Sequence, residues 1–236
     1  MIARLYTSLA SLTFGLWLMG GVMALMAAGS FMGERAAALN EMPLFAWLGE
    51  APLAASWWLW GTLCLLALMV VNTILCSIEA IRIRYGKSGP MALLAPQLMH
   101  LGFLLIVLAH LLSARGGAKQ AMQLFEGSDL RFPGGSSVVV EAIDATMGPR
   151  GMPVDFGARV RTVDGGSEAR TTVRPNEPLF HRGVGIYVKH VELFPVRTAY
   201  VEVHREPGAG WALAGALLFT AGNVLVLSQR RERRTP

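Results

Sequence analysis

Four long stretches of the sequence contain no Asp, Glu, Lys or Arg, and they constrain the fold more than any other feature. They cover residues 5–33, 51–78, 88–114 and 207–229. Each stretch is longer than the roughly 20 residues that a helix needs to cross a hydrocarbon core about 30 Å thick. Only 16% of the residues are charged, well below the roughly 25% of an average soluble domain. The sequence therefore predicts a membrane protein with four transmembrane helices.

Composition and cysteine content exclude three other classes of protein. With 53% hydrophobic residues the chain is too apolar to be disordered, and 2 cysteines are too few for a secreted disulfide scaffold. Cys64 and Cys76 lie in the same predicted helix, roughly 18 Å apart along its axis, which is beyond the reach of a disulfide. Nucleic acid is not an expected partner, because residues 115–206 are nearly neutral, with 12 basic and 11 acidic residues.

The positions of the basic residues predict how the chain is oriented in the membrane. Short loops rich in Lys and Arg stay on the cytoplasmic side. Eight basic residues flank three of the predicted helix ends: Arg4, Arg82, Arg84, Lys87, Arg230, Arg231, Arg233 and Arg234. The loop between the first two helices contains only Arg35, beside Glu34, Glu41 and Glu50. We expect both termini and the loop 82–90 in the cytoplasm, and residues 115–206 outside it.

Local signals set the expected bounds of the helices, which are about 9–32, 57–78, 96–113 and 211–227. Trp57, Trp58 and Trp60 open the second helix, and such a cluster is typical of an interfacial belt. Pro96 is expected in the first turn of the third helix, where a proline is tolerated. Asn72 lies inside the second helix and is expected to pair with a polar group in the bundle.

Between the third and fourth helices the pattern changes to short runs rich in Val, Thr and Tyr. These runs are 138–140, 158–163, 170–173, 184–191 and 198–203. Glycine and proline separate them, as is typical of strands joined by turns. The sequence therefore predicts a small extracytoplasmic antiparallel β domain. The expected division is helices over 1–114, the β domain over 115–206, and the fourth helix with a basic tail over 207–236.

The third predicted helix contains two histidines, His100 and His110. An ionisable side chain at membrane depth is costly, so it faces the bundle interior and marks a candidate site. Ten residues of helix place the two rings about 80° apart in rotation and roughly 15 Å apart along the axis, so one metal ion cannot bind both. Imidazole suits an axial ligand of haem iron or a proton carrier. The alternative for each is a hydrogen-bonded packing histidine.

The predicted β domain contributes His181, His190 and His204. Strand alternation places His190 on the same face as Val188, so we expect it to be half-buried. His204 shares a face with Glu202. No pair of histidines has the spacing of a zinc site, and the sequence contains no hydrolase, phosphate-binding or Cys-x-x-Cys motif. We therefore expect no autonomous enzyme activity.

Several short motifs, in their order along the chain, resemble the ResB-type (CcsB) cytochrome c biogenesis proteins. The matching motifs are Ser56-Trp57-Trp58, Asn72-Thr73-Ile74-Leu75-Cys76, His100-Leu101-Gly102, Asn176-Glu177-Pro178-Leu179, Gly185-Ile186-Tyr187 and Glu206-Pro207-Gly208. That family also has three helices, an outer β-rich domain and a fourth helix. The resemblance covers nearly the whole chain, although the outer domain is shorter than in many members.

The resemblance implies a subunit of a membrane cytochrome c synthase in the bacterial plasma membrane. Such a synthase moves haem b across the membrane and presents it for thioether attachment to apocytochrome c. The partner subunit would be a CcsA-type polytopic protein, which carries the tryptophan-rich haem-handling loop. His100 matches the transmembrane histidine that ligates the haem iron in this family, and His110 is a second candidate cofactor-binding residue.

Two other functions are compatible with the same residues. The first is a structural subunit of a respiratory or transport complex, in which His100 and His110 only pack. The second is a membrane-anchored module whose β domain binds a lipid or a peptide. For all three functions we expect a second membrane subunit, because four helices that carry His100, His110 and Asn72 cannot easily shield these polar groups alone.

Overall fold

The computed structural model describes residues 2–33, 39, 42–87, 89–149, 151 and 153–232. These residues form two compact units. Met1–Arg115 and Pro207–Pro236 make up a helical unit, and Gly116–Glu206 make up a β unit. Five of the charged residues used to predict the orientation lie outside the described residues: Glu34, Arg35, Glu41, Arg233 and Arg234.

The helical unit contains the four long apolar helices that the charge-free stretches predict. In chain order the helices are α1 (Ile2–Leu9), α2 (Leu12–Ser30), α3 (Leu44–Glu50), α4 (Leu53–Arg84), α5 (Pro90–Gly116) and α6 (Ala209–Glu232). By length and composition, α2, α4, α5 and α6 can each cross a membrane. The prediction of four membrane-spanning helices is confirmed. The short helices α1 and α3 were not predicted.

The first membrane helix starts later than its hydropathy indicates. The chain breaks after α1, and α2 begins at Leu12 with Ser11 as its N-cap. The Ser11 hydroxyl accepts a hydrogen bond from the backbone N–H of Phe14 at 3.1 Å. The absence of charge does not reveal such a break, because residues 5–33 contain no Asp, Glu, Lys or Arg on either side of it.

The third membrane helix contains Pro96 in its interior, so the prediction of a first-turn proline is wrong. The first-turn position belongs to Pro90, where α5 begins. An interior proline cannot donate to the carbonyl four residues earlier, which here belongs to Ala92. Arg84 Nη1 donates to that Ala92 oxygen at 3.3 Å. Arg84, which also marks the predicted cytoplasmic side, therefore provides a donor for the carbonyl oxygen that Pro96 leaves without a backbone donor.

Glycines of α2 let large side chains of α4 approach its backbone. A Cβ added to Gly29 would overlap the indole ring of Trp58, and one added to Gly21 would lie 2.8 Å from Leu65 Cδ1. Trp58 is only 5% exposed. The expected interfacial belt is therefore wrong for Trp58, which packs against α2, whereas Trp57 and Trp60 are exposed.

Helices α5 and α6 pack through small residues repeated every seven positions. The repeats are Ala95, Gly102 and Ala109 on one side and Gly208, Gly215 and Gly222 on the other. A Cβ on Gly102 would lie 2.6 Å from both the Gly215 oxygen and the Phe219 nitrogen. Small residues allow such close approach between helices in lipid, and a seven-residue repeat keeps them on one face. We call this contact the small-residue seam.

The β unit is a sandwich of two four-stranded antiparallel sheets. Its strands are β1 (Ala118–Phe125), β2 (Asp129–Arg131), β3 (Ser137–Met147), β4 (Pro153–Asp164), β5 (Ser167–Val173), β6 (Leu179–His181), β7 (Val184–Glu192) and β8 (Thr198–Arg205). The strand orders are β1-β8-β7-β6 and β2-β3-β4-β5. The core between the sheets includes Val140, Ile143, Val173 and Val188. An antiparallel β domain between the third and fourth spans is confirmed.

Three strands, β1, β2 and β6, were not predicted from the sequence pattern. Strands β2 and β6 have only three residues each, too short to show an alternation. Strand β1 lies at the edge of its sheet, and most of its residues are exposed. Its Lys119, Gln120 and Gln123 lack the β-branched and aromatic character used to recognise strands.

Candidate functional site

His100 lies on α5 where this helix meets α4. Its side chain is half-buried, and its Nδ1 atom lies 2.7 Å from the hydroxyl oxygen of Ser77 on α4. A histidine ring has two nitrogens, and this hydrogen bond occupies one of them. Among the described residues no hydrogen bond reaches Nε2. The ring is therefore oriented by one nitrogen and free at the other.

Cys76, which directly precedes Ser77 on α4, faces the junction between α1 and α2. Cys76 donates through Sγ to the Ala10 oxygen at 3.1 Å, and Asn72 Nδ2 donates to the Leu9 oxygen at 2.6 Å and the Ser11 oxygen at 3.1 Å. These carbonyls lie where the chain breaks between α1 and α2 and cannot all be paired within a helix. The expectation that Asn72 pairs inside the bundle is confirmed. The motif from Asn72 to Cys76 holds this break in place.

Glu79 extends the same face of α4 toward the end of the helix. It accepts a hydrogen bond from the Tyr6 hydroxyl of α1 at 3.0 Å. Residues 72, 76 and 79 are spaced as neighbours on one helix face. Ser77 points instead to α5. Helix α4 therefore uses one face to hold the α1–α2 junction and another to hold His100.

His110 is exposed on the surface of the helical unit. The structure does not bring it together with His100, in agreement with the rotation expected for a straight helix. The expectation of a second membrane subunit rested on Asn72, His100 and His110 together, and it stays a prediction. Asn72 and His100 have partners within the chain. Of these three residues, His110 is the one whose side chain is exposed, and an exposed ionisable side chain on a membrane helix is costly.

Gln97 is a polar residue of this region that the sequence analysis missed. Its Nε2 atom is buried and has no hydrogen-bond partner among the described residues. Gln97 lies three residues before His100, so the two are neighbours on α5. An unpaired buried donor is costly unless another group accepts from it. The sequence already contained a signal for this residue, because Gln97 lies one helical turn before a histidine predicted to be in the membrane.

In the β unit His190 is exposed, so the prediction of a half-buried ring is wrong. Strand β7 contains a register shift against β8 between Val188 and His190. A bulge adds one residue, which turns the following side chains to the opposite face of the sheet. Val191 therefore points to the core in place of His190. The ring of His190 lies 5.8 Å from that of Tyr200 on the outer face.

His204 and Glu202 are brought together as predicted, within a larger charged cluster. His204 Nε2 lies 3.1 Å from Glu202 Oε2, and Lys119 and Lys189 each lie 3.1 Å from a carboxylate oxygen of Glu202. Partial desolvation acts to raise the pKa of Glu202, but the hydrogen bonds from Lys119, Lys189 and His204 lower it to about 2. The carboxylate therefore stays ionised and ties β1, β8 and β7 together.

The remaining histidine, His181, has a packing role. Its Nε2 lies 3.0 Å from the hydroxyl of the buried Ser136, and its ring contacts Phe132 edge-on. The part of the chain that the structure describes contains no cluster of three or more His, Cys, Asp or Glu able to hold a metal ion. His100 remains the best-placed candidate ligand in the described residues.

A family model described as the ResB-like family matches residues 79–195. This segment contains the end of α4, all of α5 with His100, and the sandwich through β7. The matched segment is just under half of the chain, and in this part the chain is similar to the ResB-like family. The match supports a role of this chain in cytochrome c biogenesis.

The chain is also similar to a solved structure titled "Cytochrome c Heme Lyase CcmF". The two are 16% identical, with a TM-score of 0.47 over 87% of this chain. The aligned part is 34% of the solved chain, so this chain spans about a third of the length of that protein. No curated protein sequence matches the chain.

The residues around His100 fit a haem group in two respects. One imidazole nitrogen is free of hydrogen bonds among the described residues, as an axial iron ligand requires. The buried amide nitrogen of Gln97 lacks an acceptor in the same part of α5, and a polar edge of a bound ring can supply one. A planar apolar ring with a few polar groups suits a contact between membrane helices.

Proposed function

We propose that this chain is a subunit of a membrane cytochrome c synthase that carries haem b across the membrane and presents it to apocytochrome c. The family match supports the role in cytochrome c biogenesis. The observation that carries the haem-binding step is the orientation of His100, which is held at Nδ1 by Ser77 and free at Nε2. We assign His100 as the residue that would ligate the haem iron.

In this function the chain's own residues hold and orient the group. His100 would ligate the iron, Ser77 orients the His100 ring, and the unpaired Gln97 amide would be available to a polar atom of the group. When bound, haem supplies the ring to which the client's cysteine thiols become attached. Cys76 of α4 takes no part in that bond, because its Sγ donates to the Ala10 oxygen.

The synthase includes a CcsA-type polytopic partner and acts in the bacterial plasma membrane, with both termini of this chain in the cytoplasm. The partner supplies the parts of the synthase that this chain lacks, and apocytochrome c reaches it from the outer side. His110 is the candidate contact with the partner's helices, since it is exposed on α5 and a polar group in lipid is stabilised by a hydrogen-bonding neighbour.

The test uses the full chain coexpressed with its partner subunit and a cytochrome c client. We expect His100→Ala to remove the Soret and α bands of the copurified complex and to abolish covalent haem on the client. Added imidazole should restore the bands, because it can enter the space left by the side chain. His110→Ala is the matched control on the same helix, and we expect it to retain haem.

Two outcomes contradict the assignment. If His100→Ala retains haem and cytochrome maturation while His110→Ala abolishes both, the iron ligand is His110. If neither variant changes haem content, the chain does not ligate the iron.

A further inference from the structure

The hydroxyl groups of α4 differ in the direction of their hydrogen bonds. The hydroxyls of Ser56, Thr62 and Thr73 donate to the carbonyl four residues earlier, at 3.2, 2.8 and 2.8 Å. This is the usual contact of a helical Ser or Thr at membrane depth. Ser77 departs from the pattern, because its oxygen lies 2.7 Å from His100 Nδ1 on a different helix.

We propose that Ser77 is a positioning residue that presents Nε2 of His100 to the iron by accepting a hydrogen bond from Nδ1–H. The inference rests on the proposed function, since it concerns the same ligand. Ser77 itself does not touch the iron. Its role is to fix which nitrogen carries the proton and how the ring is turned.

The position of the proton on the His100 ring supports this role. A histidine that coordinates through Nε2 uses the lone pair of that nitrogen, so its ring proton must be on Nδ1. At 2.7 Å, the Ser77 oxygen is the acceptor placed to receive it. The hydroxyl proton of Ser77 can then turn to the carbonyl four residues earlier, as the other three α4 hydroxyls do.

Other contacts fix the positions of Ser77 and His100. Ser77 lies on the same helix as Cys76 and Glu79, which bind the α1–α2 junction and α1 respectively. His100 lies two residues before Gly102, which is pressed against the α6 backbone. Both partners of the Ser77–His100 hydrogen bond are therefore on helices held by other contacts. A hydrogen bond between two such fixed positions defines the orientation of the ring.

The experiment compares three variants of the full chain in complex with its partner subunit. Ser77→Ala removes the acceptor, Ser77→Thr keeps a hydroxyl, and Thr73→Val removes a hydroxyl one turn away on the same helix. We measure haem b affinity by titration, the midpoint potential of the bound haem, and the nitrogen chemical shifts of His100 in the haem-free complex.

Loss of such a partner of a metal ligand typically weakens metal binding roughly 10- to 100-fold. We expect Ser77→Ala to weaken haem binding by that order and to shift the midpoint potential upward, because an imidazole without the acceptor is a weaker electron donor to the iron. The His100 nitrogen shifts should move away from the Nδ1–H form. Ser77→Thr should restore all three values, and Thr73→Val should leave them unchanged.

The outcomes separate this inference from the proposed function. If His100→Ala loses haem but Ser77→Ala keeps wild-type affinity, potential and nitrogen shifts, Ser77 has no positioning role while the ligand assignment stands. If Ser77→Ala only lowers the yield of folded complex and the haem it retains has an unchanged potential, the serine merely packs and the inference is wrong. If His100→Ala has no effect, both proposals fall.

Discussion

Asn72 shows how one polar side chain can hold a junction between two helices in a membrane. Its amide nitrogen donates to the Leu9 and Ser11 oxygens, which flank the break between α1 and α2. Gly15 leaves room for it, since a Cβ there would lie 2.6 Å from Asn72 Oδ1. In lipid no water is available to replace these hydrogen bonds. The side chain therefore defines where the first membrane helix starts.

Replacing Asn72 tests this role. We expect Asn72→Ala to lower the free energy of unfolding of the full chain by about 1–3 kcal/mol, because the Leu9 oxygen loses its side-chain donor and the Ser11 oxygen is left with the Gly15 N–H. Asn223→Ala is the matched control, since Asn223 Nδ2 donates only within α6, to the Phe219 oxygen at 2.8 Å. Denaturant unfolding in detergent measures both. Equal losses for the two variants would show that the junction does not depend on Asn72.

At the scale of helices, α5 is the element that connects the candidate site to the rest of the bundle. His100 contacts α4, and Gly102 contacts α6. Two residues of helix turn the chain by about 200°, so neighbouring positions of one motif face opposite helices. The motif His100-Leu101-Gly102 therefore combines a candidate ligand with the packing that holds it in place. Another of the family-like motifs, from Asn72 to Cys76, also serves packing.

A glycine-to-alanine pair tests the small-residue seam. We expect Gly102→Ala to cost about 1–3 kcal/mol, because the added methyl group meets the backbone of α6 and the helices must separate. Gly20→Ala is the control, since a Cβ at Gly20 meets nothing within 4 Å. The stability of the two full-length variants in detergent gives the comparison. If Gly102→Ala did not lower the stability, the small-residue seam would tolerate a wider spacing between α5 and α6.

At the scale of the whole molecule, the distribution of charge still predicts the orientation in the membrane. We expect a cytoplasmic location for a reporter fused after Lys87, and an external location for one inserted in the turn between β4 and β5, at Gly165. The reason is that eight basic residues flank the predicted inner ends, while the short outer loop holds Arg35 alone. A pair of reporters, one active only inside and one only outside, reads each position. An external signal after Lys87 would contradict the predicted topology.

Several features could be predicted from the sequence because they depend on local composition. A helix that spans a membrane needs a long uncharged stretch, and four such stretches predicted four helices. Strand-forming runs between turn residues predicted the antiparallel β domain. His100 was singled out because an ionisable residue at membrane depth is costly wherever its helix packs. The seven-residue repeat of small residues was equally visible and would have predicted the α5–α6 contact.

Only the tertiary structure decided which groups meet. The pairing of Ser77 with His100, of Asn72 with the α1–α2 break and of Arg84 with the carbonyl freed by Pro96 depends on how the helices are rotated against one another. A bulge of one residue was enough to move His190 from the predicted core face to the surface. The length of an apolar stretch determines whether a segment can cross the membrane. Which side chains form hydrogen bonds with each other depends on contacts between distant segments, and these contacts form when the whole bundle packs.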